Sequence, residues 1–248
     1  MDRLIYVAMS GAQQLLNQQA VTAHNLANVS TAGYKADTSA FRVAPVSGPG
    51  LATRAYALDT TPGANLAPGA IENTGNPLDA AIEGNGFFAV QTPDGNEAYT
   101  RSGGFEVSAE GTLQTHGGLA VLSDGGPISV PAGSTLSFGR DGTISVTISG
   151  QSAANVQVIG KLKLVNPAAN EVVKGRDGLF RMAGGDSADA DETVAVTGGA
   201  LEASNVSAVA TMIEMISLSR QFDLAMKMLQ NAENDAQRAT QLLSTNPA

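Results

Sequence analysis

Both ends of this 248-residue chain carry long apolar stripes at helical spacing, while the stretch between them reads as short strands and turns. A helix whose apolar stripe finds no partner in its own globular body must bury it elsewhere, so the termini have to cover each other or be covered by neighbouring subunits. Near the N-terminus, Ile5, Met9, Ala12, Leu16, Ala23 and Leu26 follow in steps of four and three, with one polar slip at Gln19. This heptad spacing predicts a helix from Leu4 to about Val29, roughly 35 to 40 Å long at 1.5 Å per residue. Asp2 complements its dipole, and Gly33 marks the stop. Near the C-terminus, Ala208, Met212, Met215, Phe222, Met226, Leu229, Ala236 and Leu243 keep the same steps, with Ser219, Glu233 and Thr240 as slips. A well-buried Leu, Met or Phe contributes about 1.5 to 3 kcal/mol, whereas an isolated helix is marginal in water, so the two helices need each other. The expected fold class is α+β, with the terminal helices paired as a coiled coil and their stripes forming an assembly interface.

Between the helices the pattern changes. The segment from Pro45 to Pro77, rich in Gly, Pro, Thr and Ala, reads as extended, irregular chain with a few short strands. From Leu78 onward come β-like runs: Phe87 to Val90, Ala98 to Thr100, Phe105 to Val107, Leu119 to Leu122, Ile128 to Val130 and Thr143 to Ile148. Turn signals at Asp94-Gly95, Glu110-Gly111, Asp124-Gly125-Gly126, Asp141-Gly142 and Asp177-Gly178 separate many of them. The alternation predicts an all-β antiparallel domain, a barrel or sandwich. Two octets beginning at Gly139 and Gly175 share Gly-Arg-Asp-Gly before a strand-like run, which predicts one hairpin solution used twice. The expected division is a terminal helical domain (1–35 with 204–248), a connecting segment (36–77) and a β domain (78–203).

Most catalytic chemistries lack their residues. The chain has no Cys and only two His, His24 and His116, which removes thiolate nucleophiles, Cys-ligated zinc and three-histidine metal sites. Gly84-Asn85-Gly86-Phe87-Phe88-Ala89 spells the letters of a dinucleotide fingerprint, but its glycines lead into a strand rather than a helix N-terminus. No G-x-S-x-G elbow is present, and the acidic run Asp186 to Glu192 lacks the Gly of an EF-hand loop. With a net charge of -9 and 14 Lys plus Arg scattered singly, no basic stripe exists to neutralise phosphates, so nucleic acid is not an expected partner. Four Tyr, seven Phe and no Trp also give little material for the stacking groove of a glycan-binding module. The start lacks a basic leader followed by an apolar core, and no apolar run reaches the roughly 20 residues that span a bilayer. These features predict a non-enzymatic protein without cofactor or metal, without membrane insertion, and exported, if at all, by an uncleaved route.

The run Asn25-Leu26-Ala27-Asn28-Val29-Ser30-Thr31-Ala32-Gly33-Tyr34-Lys35 resembles the N-terminal signature of the bacterial flagellar axial proteins of rod and hook. The usual form of that signature has a further Asn where this chain has His24, and often Phe where it has Tyr34. Asn28, Ser30 and Thr31 suit the freed backbone groups of a helix end, and Gly33 suits a left-handed turn. Gly86 to Val90, Tyr99-Thr100-Arg101-Ser102-Gly103-Gly104-Phe105 and Gly111-Thr112-Leu113 look like the β domain of rod and hook proteins. Leu201 to Val206 resembles the lead into their C-terminal helix. The resemblance implies an inner tube of paired helices, an outward β domain, and partners among axial subunits such as FlgC and FlgG. It also implies export through the flagellar type III apparatus and a place in the periplasmic rod of the basal body.

Overall fold

A computed structural model describes residues 2–45, 55–59, 63–148 and 156–244. The chain divides into two compact units: Met1–Ala27 with Asp37–Gly63 and Ser207–Ala248, and Asn28–Ala36 with Ala64–Val206.

The first unit is built on two helices, α1 (Asp2–Ala27) and α2 (Ala208–Ser244), which pack together. At 1.5 Å per residue their lengths are about 39 and 55 Å. α1 starts and stops two residues earlier than its apolar stripe predicts, at Ala27 rather than near Val29. α2 begins after Ser207, whose hydroxyl accepts from the Ala210 amide at 3.4 Å while its carbonyl takes the Thr211 amide at 2.9 Å. This is the placement of an N-cap serine, which satisfies donors that have no partner inside the helix. The end of α1 is held to the strand Asp37–Thr38 by Asn25, whose amide nitrogen donates to the Asp37 carbonyl at 2.9 Å and whose oxygen takes the Asp37 amide at 2.8 Å. An antiparallel hairpin of Phe41–Pro45 and Ala55–Asp59 belongs to the same unit.

The second unit is β-rich. Its main sheet runs Val172–Lys174, Phe180–Met182, Glu97–Thr100, Phe87–Gln91, Ala120–Ser123, Leu113–Thr115, Phe105–Val107, with every paired neighbour antiparallel. The two ends of this order do not pair with each other, so the described strands form no closed barrel, correcting that half of the barrel-or-sandwich expectation. A three-stranded sheet of Ser134–Phe138, Thr143–Ile148 and Val156–Lys161 accompanies it. Phe87 and Phe88 show the period of two at work. Phe88 enters one apolar cluster with Phe105, Leu113, Val121 and Ile144, and Phe87 enters another with Tyr99, Val165 and Phe180. Ring centroids lie 5.3 Å apart for Phe88 and Phe105 and 4.9 Å for Phe87 and Phe180. Burial pushes the Tyr99 hydroxyl up to about 12, and its oxygen accepts from the Ala188 amide at 2.6 Å.

The twin octets do form matching turns. Gly142 donates to the Gly139 carbonyl at 3.0 Å and Gly178 to the Gly175 carbonyl at 3.2 Å. In each turn the Asp side chain accepts from the amide two residues on, at 3.1 Å for Asp141 and 3.2 Å for Asp177. Ile128 to Val130 is not a strand as predicted. Pro127 and Pro131 flank it, and a proline offers no amide to a ladder. The segment is tied down instead through the Leu113 amide on the Ile128 carbonyl at 2.9 Å and the Val130 amide on the Gly111 carbonyl at 2.7 Å.

Candidate functional site

Among the described side chains, the covered face of α2 consists of Ala208, Thr211, Met215, Leu218, Phe222, Ala225, Leu229 and Ala232, in unbroken alternating steps of three and four. On α1 the covered positions include Ala8, Gly11, Ala12, Leu15, Gln18, Thr22 and Leu26. Of the residues singled out from the sequence, Ala12, Leu26, Met215, Phe222 and Leu229 lie on these covered faces. Met9, Leu16, Ala23, Met212 and Met226 lie outward. Ile5 and Leu243 fall at the helix ends, where their side chains lie outside the described residues. Spacing alone could not separate the two rows, because each helix carries apolar residues on more than one side. Along α2 an outward row that the sequence reading did not identify runs through Val209, Ile213, Ile216, Leu224 and Met228, exposed by 55 to 70%. Solvent-facing aliphatic residues in such a row are unusual on a helix that stays free.

The signature residues Gly33, Tyr34 and Lys35 meet a different neighbourhood, inside the second unit. Lys35 is 1% exposed, and its Nζ donates to Glu202 Oε1 at 2.6 Å and to the Ala67 carbonyl at 2.8 Å. Glu202 Oε2 accepts from Arg101 Nη1 at 2.7 Å, and its Oε1 also takes the Gly69 amide at 2.7 Å. Arg101 donates further to the Gly84 carbonyl. Burial lowers the pKa values of Lys35 and Arg101, and their contacts with Glu202 oppose that shift. Three separate sequence motifs thus converge on one carboxylate: Gly33-Tyr34-Lys35, Tyr99-Thr100-Arg101 and Leu201-Glu202. Neither Arg101 nor Glu202 was singled out from the sequence. The available signal was a charged residue inside each motif, in a unit whose other buried side chains are mostly apolar.

Backbone geometry explains the glycine of the signature. Gly33 has φ +70, and a Cβ there would sit 2.3 Å from the Arg101 carbonyl carbon. Its amide donates to the Glu202 carbonyl at 2.7 Å. Tyr34 lies under Lys174, whose Nζ is 4.1 Å from the ring centroid and donates to the Lys35 carbonyl at 2.7 Å. Asn28 and Thr31 form a local turn, with the Thr31 amide on the Asn28 carbonyl at 3.2 Å and its hydroxyl on Asn28 Oδ1 at 3.2 Å. Asn205 closes the arrangement, taking the Ala36 amide at 2.8 Å and donating to the carbonyls of Asn65 and Ala67 at 2.7 and 2.9 Å.

Three chemistry-bearing groups outside this cluster are tied to structure. His116 Nδ1 lies 2.8 Å from the Gly104 carbonyl, and His24 Nδ1 lies 2.8 Å from Asp37 Oδ2. Asp191, in the acidic run, accepts from the Thr193 amide and hydroxyl at 2.8 and 2.6 Å. Among the described residues no three His, Asp or Glu side chains gather to hold a metal ion, and no helix is long and apolar enough to cross a membrane.

Three family models match the chain: Flagella basal body rod protein over residues 5–35, Flagellar hook protein FlgE/F/G D1 domain over 81–146, and Flagellar basal body rod FlgEFG protein C-terminal over 197–242. Together they delimit a class, the structural proteins of the flagellar rod and hook. The flagellar basal-body rod protein FlgF of Escherichia coli (strain K12) is 46% identical, over 98% of this chain and 99% of its own length. FlgF of Salmonella typhimurium is 44% identical over the same shares. FlgG of Buchnera aphidicola subsp. Schizaphis graminum, from the sibling group, is 30% identical over 96% of this chain and 98% of its own. The chain belongs to the FlgF family of flagellar basal-body rod proteins.

Proposed function

We propose that the chain is a structural subunit of the proximal flagellar rod, the drive shaft of the basal body, and that it transmits torque between axial neighbours. Identity to the FlgF proteins of Escherichia coli and Salmonella typhimurium along nearly the whole chain supports this reading, and it exceeds the identity to the Buchnera FlgG. The observation that carries the mechanism is the outward apolar row of α2, which the described residues leave uncovered. In the assembled rod, α1 and α2 form a coiled coil whose outward residues, among them Met9, Leu16, Met212 and Met226, pack against helices of other subunits. The alternating three-four steps of the covered face of α2 suit such a seam. Torque then passes through helix against helix in an inner tube. The partners on this reading are copies of the chain itself, axial proteins such as FlgC and FlgG, and the flagellar type III export apparatus. The rod's place is the periplasm, reached without a cleaved signal.

The test places a charge on the outward rows. Leu16→Asp and Met226→Asp are each expected to block rod assembly and swimming, while the β-rich unit retains its fold by circular dichroism. Normal swimming by either variant contradicts the assignment of those residues to the interface.

A further inference from the structure

Five Asn-Gly or Asp-Gly pairs lie in the described turns: Asn85-Gly86, Asp94-Gly95, Asp124-Gly125, Asp141-Gly142 and Asp177-Gly178. A glycine has no Cβ to shield its amide nitrogen, which is the atom that attacks the side-chain carbonyl carbon of an Asn or Asp just before it. In four of the pairs that nitrogen is already engaged. Gly95 donates to the Thr92 carbonyl at 2.9 Å, Gly142 to that of Gly139 at 3.0 Å, Gly178 to that of Gly175 at 3.2 Å, and Gly125 to the Ser123 hydroxyl at 3.2 Å. The carboxylates of Asp141 and Asp177 are occupied as well, by Thr143 and by Leu179 with Arg181. Gly86 is the exception. Its amide makes no hydrogen bond among the described residues, and the Asn85 side chain before it is exposed and likewise without a partner among them. Asn85 also brings a neutral amide, a better electrophile than the carboxylates of the other four.

We propose that Asn85 is a self-modification site, at which the folded chain deamidates through a cyclic imide formed with Gly86. The Gly86 nitrogen gives its proton to hydroxide from the solvent and bonds to Asn85 Cγ, the Cγ–Nδ2 bond breaks, and Nδ2 leaves as ammonia. Water then opens the imide at either of its carbonyls. One opening leaves an aspartate at position 85, and the other an isoaspartate, whose backbone runs through the former side-chain methylene. Asn is among the thermolabile residues for this reason. Both products add one negative charge to the turn. The isoaspartate also lengthens the backbone by one carbon just ahead of Phe87 and Phe88, which are at most 4% exposed and enter separate apolar clusters. Gly86 has little room to take up that length, since even a Cβ there would meet Val194 at 2.9 Å. Close-packed clusters do not absorb such a displacement without losing stability. This site is independent of the rod reading above.

The test incubates the full chain in mildly alkaline buffer, folded in one sample and unfolded by guanidinium chloride in another. Peptides are then released with pepsin in acid, where ring closure is slow, and aspartate and isoaspartate are counted at all five pairs by mass spectrometry and isoaspartyl methylation. A hydrogen-bonded amide reacts only when its turn opens, so the four Asp-Gly pairs are expected to convert at least about tenfold more slowly in the folded chain than in the unfolded one, and Asn85 to convert within about threefold of its unfolded rate. The melting temperature of the folded sample is expected to fall in step with isoaspartate at position 85. Asn85→Gln, whose longer side chain disfavours the ring, is expected to stay unmodified there and to keep its melting temperature through the same incubation. An Asn85 that stays intact in the folded chain while the unfolded chain converts would overturn the proposal. So would Asp-Gly pairs that convert equally fast in both samples, or an equal loss of melting temperature in Asn85→Gln.

Discussion

Along α2, Val209, Ile213, Ile216, Leu224 and Met228 leave more than half of their surface uncovered, whereas Phe88, Leu113, Ile144 and Val165 in the β-rich unit are wholly buried. The two units also differ in where they place charge. The β-rich unit buries Lys35, Arg101 and Glu202, while the acidic and basic residues of α2 with described side chains all lie on exposed positions. The difference separates two jobs. The β-rich unit is organised around buried apolar clusters and a buried charge node, and the helical unit keeps a row of apolar surface in reserve.

If this contrast is right, a change of charge should act on stability in one unit and on assembly in the other. The largest effect is expected for Glu202→Ala. It strands two buried cations and should cost about 3 to 5 kcal/mol, as breaking a buried ion pair does. Chemical denaturation of the full chain, followed through near-ultraviolet tyrosine signals, measures it. A loss below about 1 kcal/mol would show that the node is not what holds the unit together.

Gly33→Ala comes next, because the new Cβ meets the Arg101 backbone at 2.3 Å and the backbone sits at φ +70. Strain of that kind costs on the order of 1 to 3 kcal/mol. Melting temperature should fall, and a Gly33→Asn variant, which tolerates the left-handed region but not the contact, should fall nearly as far. Recovery in Gly33→Asn would assign the effect to φ alone.

Ile216→Asp should show the opposite profile. Ile216 is 55% exposed, so the free chain is expected to keep its stability to within roughly 0.5 kcal/mol while losing assembly. Unfolding and co-sedimentation with rod fractions separate the two. The smallest effect is that of acid. Hydrogen bonds from Thr197 and Arg140 hold the Glu83 carboxyl below its usual range, Thr143 does the same for Asp141, and Arg181 for Asp177. A carboxyl depressed in the folded state adds stability above its unfolded value, near 4, and loses it as pH falls through the folded value. Melting of the β-rich unit should therefore be level from pH 7 to 5 and decline below about 4. A decline beginning near pH 6 would contradict the assignment to these carboxyls.

Much of this fold was legible from spacing. The four-three steps placed both helices to within two residues, and Asp-Gly pairs located the hairpin turns, including the twin turns at Gly142 and Gly178. Two things were hidden. Which apolar row of a helix faces inward depends on the partner helix, so Met226 and Leu218 could not be ranked by their own sequence. The Lys35–Glu202–Arg101 node joins residues up to 167 positions apart, and no local pattern records such a pairing. The motifs carried the residues without showing that they meet.

The reserve of apolar surface on α2 is the centre of this account, and the chain's lack of cysteine makes it directly measurable. An Ile216→Cys chain carries a single thiol, whose labelling by a water-soluble maleimide can be compared between free protein and purified basal bodies. The account predicts rapid labelling of the free chain and strong protection in the assembled rod. Equal labelling in the two states would contradict it.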